Sequence, residues 1–127
     1  MSEILYSQYR AFKQSLQQIQ QIIHELMNES TKPSNPNQAA LIAALSALQQ
    51  LFKQEILPMP LDELPGEQIS SVQSYRTEMH KQMRLLATDV MFLQTARQPT
   101  TKQQRRSAIA TRVETLIGYC DALLQSD

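Results

Sequence analysis

Apolar residues recur at alternating spacings of four and three along most of the chain, the period of an amphipathic α-helix. The first segment shows this most completely, and its opposite side carries a row of glutamines. Its apolar stripe consists of Leu5, Tyr9, Phe12, Leu16, Ile19, Ile23 and Leu26. No segment alternates with period two over a useful length, so we predict no β-sheet.

Three further segments carry the same spacing. The second stripe consists of Leu41, Leu45, Leu48 and Phe52. The third consists of Ile69, Val72, Met79, Met83, Leu86, Val90 and Leu93. The fourth consists of Ile109, Val113, Leu116, Cys120 and Leu123. The pattern therefore predicts four helices, at about residues 2–28, 36–57, 67–97 and 101–125.

Prolines and polar residues separate these segments. The first helix should end in the polar stretch Asn28 to Asn35. Asn35 can then cap the second helix, with Pro36 at its first position and Gln38 completing a pair that resembles a capping box. The segment Pro58 to Gly66 contains three of the six prolines. We therefore expect a non-helical connection there.

Pro99 is expected to stop the third helix, and the threonines that follow it suggest the start of the fourth. Thr100 or Thr101, paired with Gln103 or Gln104, would provide its cap. Four helices with short connections pack most simply as an antiparallel up-down bundle. We therefore predict an all-α four-helix bundle in which residues 1–127 form one domain.

Composition limits the classes of function. Lys plus Arg and Asp plus Glu number 12 each, so no overall field would recruit nucleic acid or an anionic membrane. No apolar run approaches the roughly 20 residues of a membrane span. The N-terminus shows no signal-peptide pattern, and the single Cys120 has no partner for an internal disulfide. We expect a soluble, cytoplasmic protein with no membrane insertion.

Catalytic and cofactor chemistry find little support in the residue pattern. Neither His24 nor His80 follows a glutamate by three residues, the spacing of carboxylate-bridged metal sites in bundles. Cys120 lies on the fourth apolar stripe, where a buried structural role is typical. Only two glycines are present, which excludes a glycine-rich phosphate loop. We predict a protein that is not an enzyme and binds no metal or cofactor.

Leu85 and Phe92 lie one heptad apart and outside the third helix's main stripe. At about 100° per residue, they lie roughly 125 to 145° from its centre. One interpretation is a surface that docks a protein partner or forms a homodimer seam. The other is that helix curvature, or the second connection with Met59, Leu61 and Leu64, covers them.

A cluster of cations flanks the turn between the third and fourth helices. It consists of Arg97, Lys102, Arg105, Arg106 and Arg112, with no acid between residues 90 and 113. We expect these side chains to converge at one end of the bundle, where arginines can pair with carboxylates or phosphates of a partner. The alternative is a solvated cap whose arginines bind the last carbonyls of the third helix. Nucleic acid is not the expected ligand, because no aromatic platform lies beside the cluster.

Asp89 is an acid within an apolar run, LLATDVMFL. Its helical angle places it at the edge of the third stripe, on the side towards Leu85. The simpler role is an ion pair with a cation of a neighbouring helix, and the other is a contact to a partner.

The run SYRTEMHKQMRLLATDVMFLQTARQPTTKQQRR and the ending TLIGYCDALLQ resemble the cyanobacterial PatD family, the heterocyst frequency control proteins. The resemblance covers residues 71–124. Its matching positions include Tyr75, His80, Arg84, Asp89, Phe92, Arg97 and Arg105.

The resemblance implies a small cytoplasmic regulator of cell division that acts with the tubulin-like GTPase FtsZ. It further implies modulation of FtsZ filament assembly and, in filamentous cyanobacteria, of the number of heterocysts. From the residues themselves we predict an adaptor that binds a partner through the basic cluster, through Leu85 and Phe92, or through both. The alternative is a structural protein that self-associates through its third helix.

Overall fold

The computed structural model of the protein describes residues 3–28, 35–62 and 64–125, except for the side chains of residues 35 and 36. Over these ranges the chain forms four α-helices and no β-strand. We name them α1 to α4: Glu3–Asn28, Asn35–Leu51, Gly66–Thr95 and Pro99–Leu124. The prediction of an all-α fold is confirmed.

The helices pack as an antiparallel four-helix bundle. α1 packs along both α2 and α4, and α3 packs along α4. The backbones of α2 and α3 approach each other at few positions, so this seam is the widest of the four. The predicted architecture is confirmed, with α4 as the shared partner of α1 and α3.

The core is built from the predicted apolar stripes. Every stripe residue of α1 and α4 is buried, with at most 2% of its surface exposed. The stripe of α3 is buried from Val72 onwards, whereas Ile69 near its start is half-buried. Leu61 of the second connection also enters the core. Burial of these side chains supplies the main driving force for folding.

The end of the second helix differs from the prediction of one regular helix to residue 57. A π-helical segment, Phe52–Ile56, continues α2. The amide of Leu57 donates to the carbonyl of Phe52 at 2.9 Å, the wider ring of a π-turn. Phe52 and Ile56 are both buried. Leu48, Phe52 and Ile56 recur every four residues, more than the 3.6 residues per turn of an α-helix, so the wider turn keeps all three on the core side.

The second connection is anchored to α3. The guanidinium of Arg76 donates to the carbonyl of Met59 at 2.7 Å and to that of Leu57 at 3.4 Å. Met59 and Leu64 pack against the core. The connection therefore lies against the first half of α3.

The helix boundaries correct two expectations and leave one outside the described residues. α4 begins at Pro99, with Gln98 as its N-cap and no capping hydrogen bond from a side chain. The predicted threonine cap is wrong, because proline's fixed φ suits the first position of a helix. The predicted cap at Asn35 and the connection before it lie outside what the structure describes. None of the described helices combines the length and apolar character of a membrane span.

Candidate functional site

Asp89 is the only buried charged residue among the residues that the structure describes. It lies on the side of α3 that faces α4, and 6% of its surface is exposed. A buried carboxylate without partners is costly, so its surroundings should supply positive charge. They do so from α4.

Two arginines of α4 converge on this carboxylate. Arg112 donates from Nε to Oδ2 of Asp89 at 3.1 Å, and Nη1 of Arg105 lies 3.6 Å from Oδ1. Arg112 also donates to the side-chain oxygen of Gln82 at 3.5 Å. The predicted ion pair between Asp89 and a neighbouring helix is confirmed. It ties α3 to α4 along their outer side.

Phe92 covers the other side of Arg105. The Cζ atom of Arg105 lies 4.7 Å from the centroid of the Phe92 ring, within the range of a cation–π contact. Asp89 and Phe92 are three residues apart and therefore share one side of α3. The carboxylate and the ring together hold the Arg105 guanidinium in place. We refer to Phe92 and Arg105 as the Phe92–Arg105 surface.

Phe92 remains open to solvent on its outer side. Of its surface, 43% is exposed, while Leu85, one heptad earlier, is half-buried. The second connection does not cover Phe92, because its residue Met59 is bound to Arg76. Arg76 lies about 24 Å before Phe92 along α3. The expectation that the connection covers Phe92 is wrong.

The predicted basic cluster is split into two groups. Arg105 and Arg112 pair with Asp89. Arg97, Lys102 and Arg106 have no carboxylate partner among the described residues, and the Nε of Arg106 is buried without a hydrogen bond. Arg112 does not reach the predicted end of the bundle, since it lies about 20 Å along α4 from Pro99. Three cations, not five, remain at the turn without an acid.

The surroundings of Cys120, His24 and His80 do not indicate a nucleophile or a metal site. Burial raises the pKa of the Cys120 thiol to about 12, and the neighbouring carboxylate of Asp121 adds to the effect. A thiol in this state is a poor nucleophile. His24 and His80 are exposed, and the described residues contain no group of three or more potential metal ligands.

Asp89, Phe92, Arg105 and Arg112 were each predicted as candidate site residues, but their contacts with one another were not. Helical angles place residues around one helix, and they do not give the register between two helices. Gln82 was missed altogether. The available signal was the seven-residue spacing from Gln82 to Asp89, which places both side chains on the side of α3 that faces Arg112.

Comparison of the chain with protein-family models, with curated proteins and with solved structures finds no match. The resemblance to the PatD family therefore stays a prediction.

Proposed function

We propose that the protein is a cytoplasmic, non-enzymatic adaptor that binds a segment of a partner protein through the Phe92–Arg105 surface. The observation that supports this proposal is an exposed aromatic ring whose neighbouring arginine is already held in place. Aromatic residues and arginines provide a large share of the binding energy in protein interfaces. An arginine fixed before binding loses less conformational entropy when the partner arrives.

The charges around this surface indicate an acidic or amphipathic partner segment. Lys102 lies one turn before Arg105 on α4, and Arg106 follows directly. Neither has a carboxylate partner among the described residues. A segment with an apolar side chain on Phe92 and carboxylates beside it would complement both the ring and the cations.

FtsZ is the first partner to test, because the resemblance to the PatD family implies it. Purified FtsZ is assembled with GTP and sedimented with the wild-type protein, with Phe92→Ala or with Arg105→Ala. Both variants should reduce the protein in the pellet and weaken its binding roughly tenfold.

Two matched controls lie on α1. Arg10 also sits over an aromatic ring, 5.8 Å from the centroid of Tyr6, and Ile4 is 65% exposed. Arg10→Ala and Ile4→Ala should bind like the wild type. Equal binding by all four variants would remove the Phe92–Arg105 surface from the function. A wild-type protein that does not sediment with FtsZ would remove FtsZ as the partner.

The second candidate is a structural protein that forms a homodimer through Leu85 and Phe92. It is favoured by the partial exposure of both side chains on one side of α3. Light scattering of the wild type and of Phe92→Asp distinguishes the two functions. A wild-type dimer that the variant loses, together with unchanged partner binding, favours self-association.

A further inference from the structure

Core side chains beside the seam between α2 and α3 are more exposed than those beside the other three helix–helix seams. Leu45 of α2 and Met83 of α3 are 8% and 5% exposed, whereas the core residues of α1 and α4 are at most 2% exposed. The two backbones also approach each other at few positions. The seam is therefore a shallow groove with apolar side chains at its floor.

A ring contact sets the register of the two helices across this groove. The centroids of Phe52 and His80 lie 6.0 Å apart. The two helices are antiparallel. A residue ten positions before Phe52 in α2 and one ten positions after His80 in α3 therefore both lie about 15 Å from this contact along the bundle axis. Ile42 and Met91 therefore lie at nearly equal height in the bundle.

Ile42 and Met91 form an exposed apolar end of the groove. They are 42% and 54% exposed. Met91 lies about 200° around α3 from Asp89, which faces α4, so Met91 is on the side of α3 away from α4. Met83, which is 5% exposed, adds a second methionine to this groove. Their flexible side chains suit a surface that adapts to a partner.

The other end of the groove is basic. Arg76, His80 and Arg84 are spaced four residues apart, so they form one stripe of α3. Together with Lys81 and Leu57 they line an open cleft of about 390 Å³, to which Glu78 contributes the one acid. Lys81 and Arg84 have no carboxylate partner among the described residues.

α2 adds no negative charge to the groove. The sequence has no Asp or Glu between Glu29 and Glu55. The acids of α3, Glu67, Glu78 and Asp89, are spaced eleven residues apart. At about 100° per residue this spacing keeps them near one side of the helix. Asp89 on that side faces α4, whereas Glu78 also lines the cleft.

We propose that the α2–α3 groove binds an amphipathic helix from a partner protein. Its apolar side chains contact Ile42 and Met91, and its carboxylates contact Arg84. A helix lying in a groove between two helices is a common mode of peptide recognition. The distance from His80 to Met91, about 16 Å, corresponds to roughly three helical turns of the partner.

This groove and the Phe92–Arg105 surface lie on different sides of α3, so the inference does not depend on the proposed function. Arg84 and Met91 lie about 140° and 200° around α3 from Asp89, whereas Arg105 approaches α3 from α4. Substitutions in one surface leave the other intact. The two proposals can therefore fail separately.

The test uses a synthetic amphipathic peptide, with leucines at helical spacing in one half and glutamates in the other, carrying a fluorescent label. Binding to the full-length protein is measured by fluorescence anisotropy. Arg84→Glu and Met91→Asp should each raise the Kd roughly tenfold or more. Arg10→Glu on α1 should leave it unchanged. A peptide with lysine in place of each glutamate should bind far more weakly.

Amide hydrogen exchange locates the bound peptide without a substitution. The proposal predicts that the peptide slows exchange in α2 and in the middle of α3. The proposal is overturned by a peptide that does not bind the wild type, or by a lysine peptide that binds as tightly. Loss of binding in Phe92→Ala but not in Arg84→Glu, or slowed exchange confined to α1 and α4, overturns it as well.

Discussion

The Arg105 guanidinium lies 4.7 Å from the ring centroid of Phe92, which fixes a cation against an exposed aromatic side chain. The carboxylate of Asp89 holds the same guanidinium from the other side. A buried acid therefore orders an exposed surface. The surface that we propose for partner binding depends on a residue that a partner need not touch.

Asp89→Asn should destabilise the bundle. The amide keeps the shape of the side chain but leaves Arg105 and Arg112 without a carboxylate. Because both arginines are about a third exposed, water compensates part of the loss. We expect the free energy of unfolding to fall by about 1–2 kcal/mol, measured by urea denaturation.

Asp121 offers a matched control for that substitution. Its carboxylate lies 2.6 Å from the Lys13 ammonium, but both side chains are about a third exposed, whereas Asp89 is buried. Exposed pairs contribute about 0–1 kcal/mol. Asp121→Asn should therefore cost less than Asp89→Asn, and equal losses would show that Asp89 has no special structural role.

Phe92 should be nearly dispensable for folding, which separates its binding role from a structural one. Phe92→Ala removes a ring that is 43% exposed, whereas Phe12→Ala removes one that is fully buried. We expect about 3–5 kcal/mol of destabilisation for Phe12→Ala and less than about 1 kcal/mol for Phe92→Ala. Thermal unfolding followed by circular dichroism measures both. A large loss in Phe92→Ala would assign that ring to the core.

Arg76 should hold the second connection against α3. Arg76→Ala removes the hydrogen bonds to the carbonyls of Leu57 and Met59, so residues 57–62 should open locally. We expect faster amide exchange and faster proteolysis there, with a loss of about 1–2 kcal/mol in the free energy of unfolding. Arg84→Ala is the control, because the Arg84 side chain makes no hydrogen bond or ion pair with any of the described residues. Equal protease sensitivity of the two variants would contradict the anchoring role.

Much of the fold could be predicted from spacing alone. The residues from Leu5 to Leu26 that repeat at helical spacing are all buried, because a helix with a single apolar stripe can bury it only by turning that side towards the core. The same argument identified Cys120 as a core residue, and it is fully buried. The spacing of apolar residues therefore predicts which side chains of a helix are buried when that helix packs against a single core.

The contacts between helices could not be predicted in this way. Arg105 and Arg112 appeared to belong to one basic cluster, because no acid lies between residues 90 and 113. Asp89 reaches both from another helix, and only the register of α3 against α4 decides that contact. The π segment at Phe52 was missed for a related reason. Its wider turn keeps Leu48, Phe52 and Ile56 on the core side, and a spacing of four residues also occurs within regular α-helices.

Cys120 should make the bundle sensitive to alkaline pH. Burial raises the pKa of its thiol from 9.0 to about 12 in the folded protein, whereas the unfolded thiol ionises near its ordinary value. The folded state therefore retains a proton that the unfolded state loses. The stability from this thiol is fully present below about pH 9 and decreases as the pH rises towards 12. At about pH 11 the loss should amount to roughly 2–3 kcal/mol.

Urea denaturation of the wild type and of Cys120→Ala between about pH 8 and pH 11 measures this loss. The alanine variant should be less stable at neutral pH because of its cavity, and the difference should narrow as the pH rises. The pKa of Tyr9 is raised mainly by burial and also by the charge of Cys120. Cys120→Ala removes that second part, which narrows the difference in the same direction. A difference that stays constant over this range would show that water reaches the thiol in the folded state.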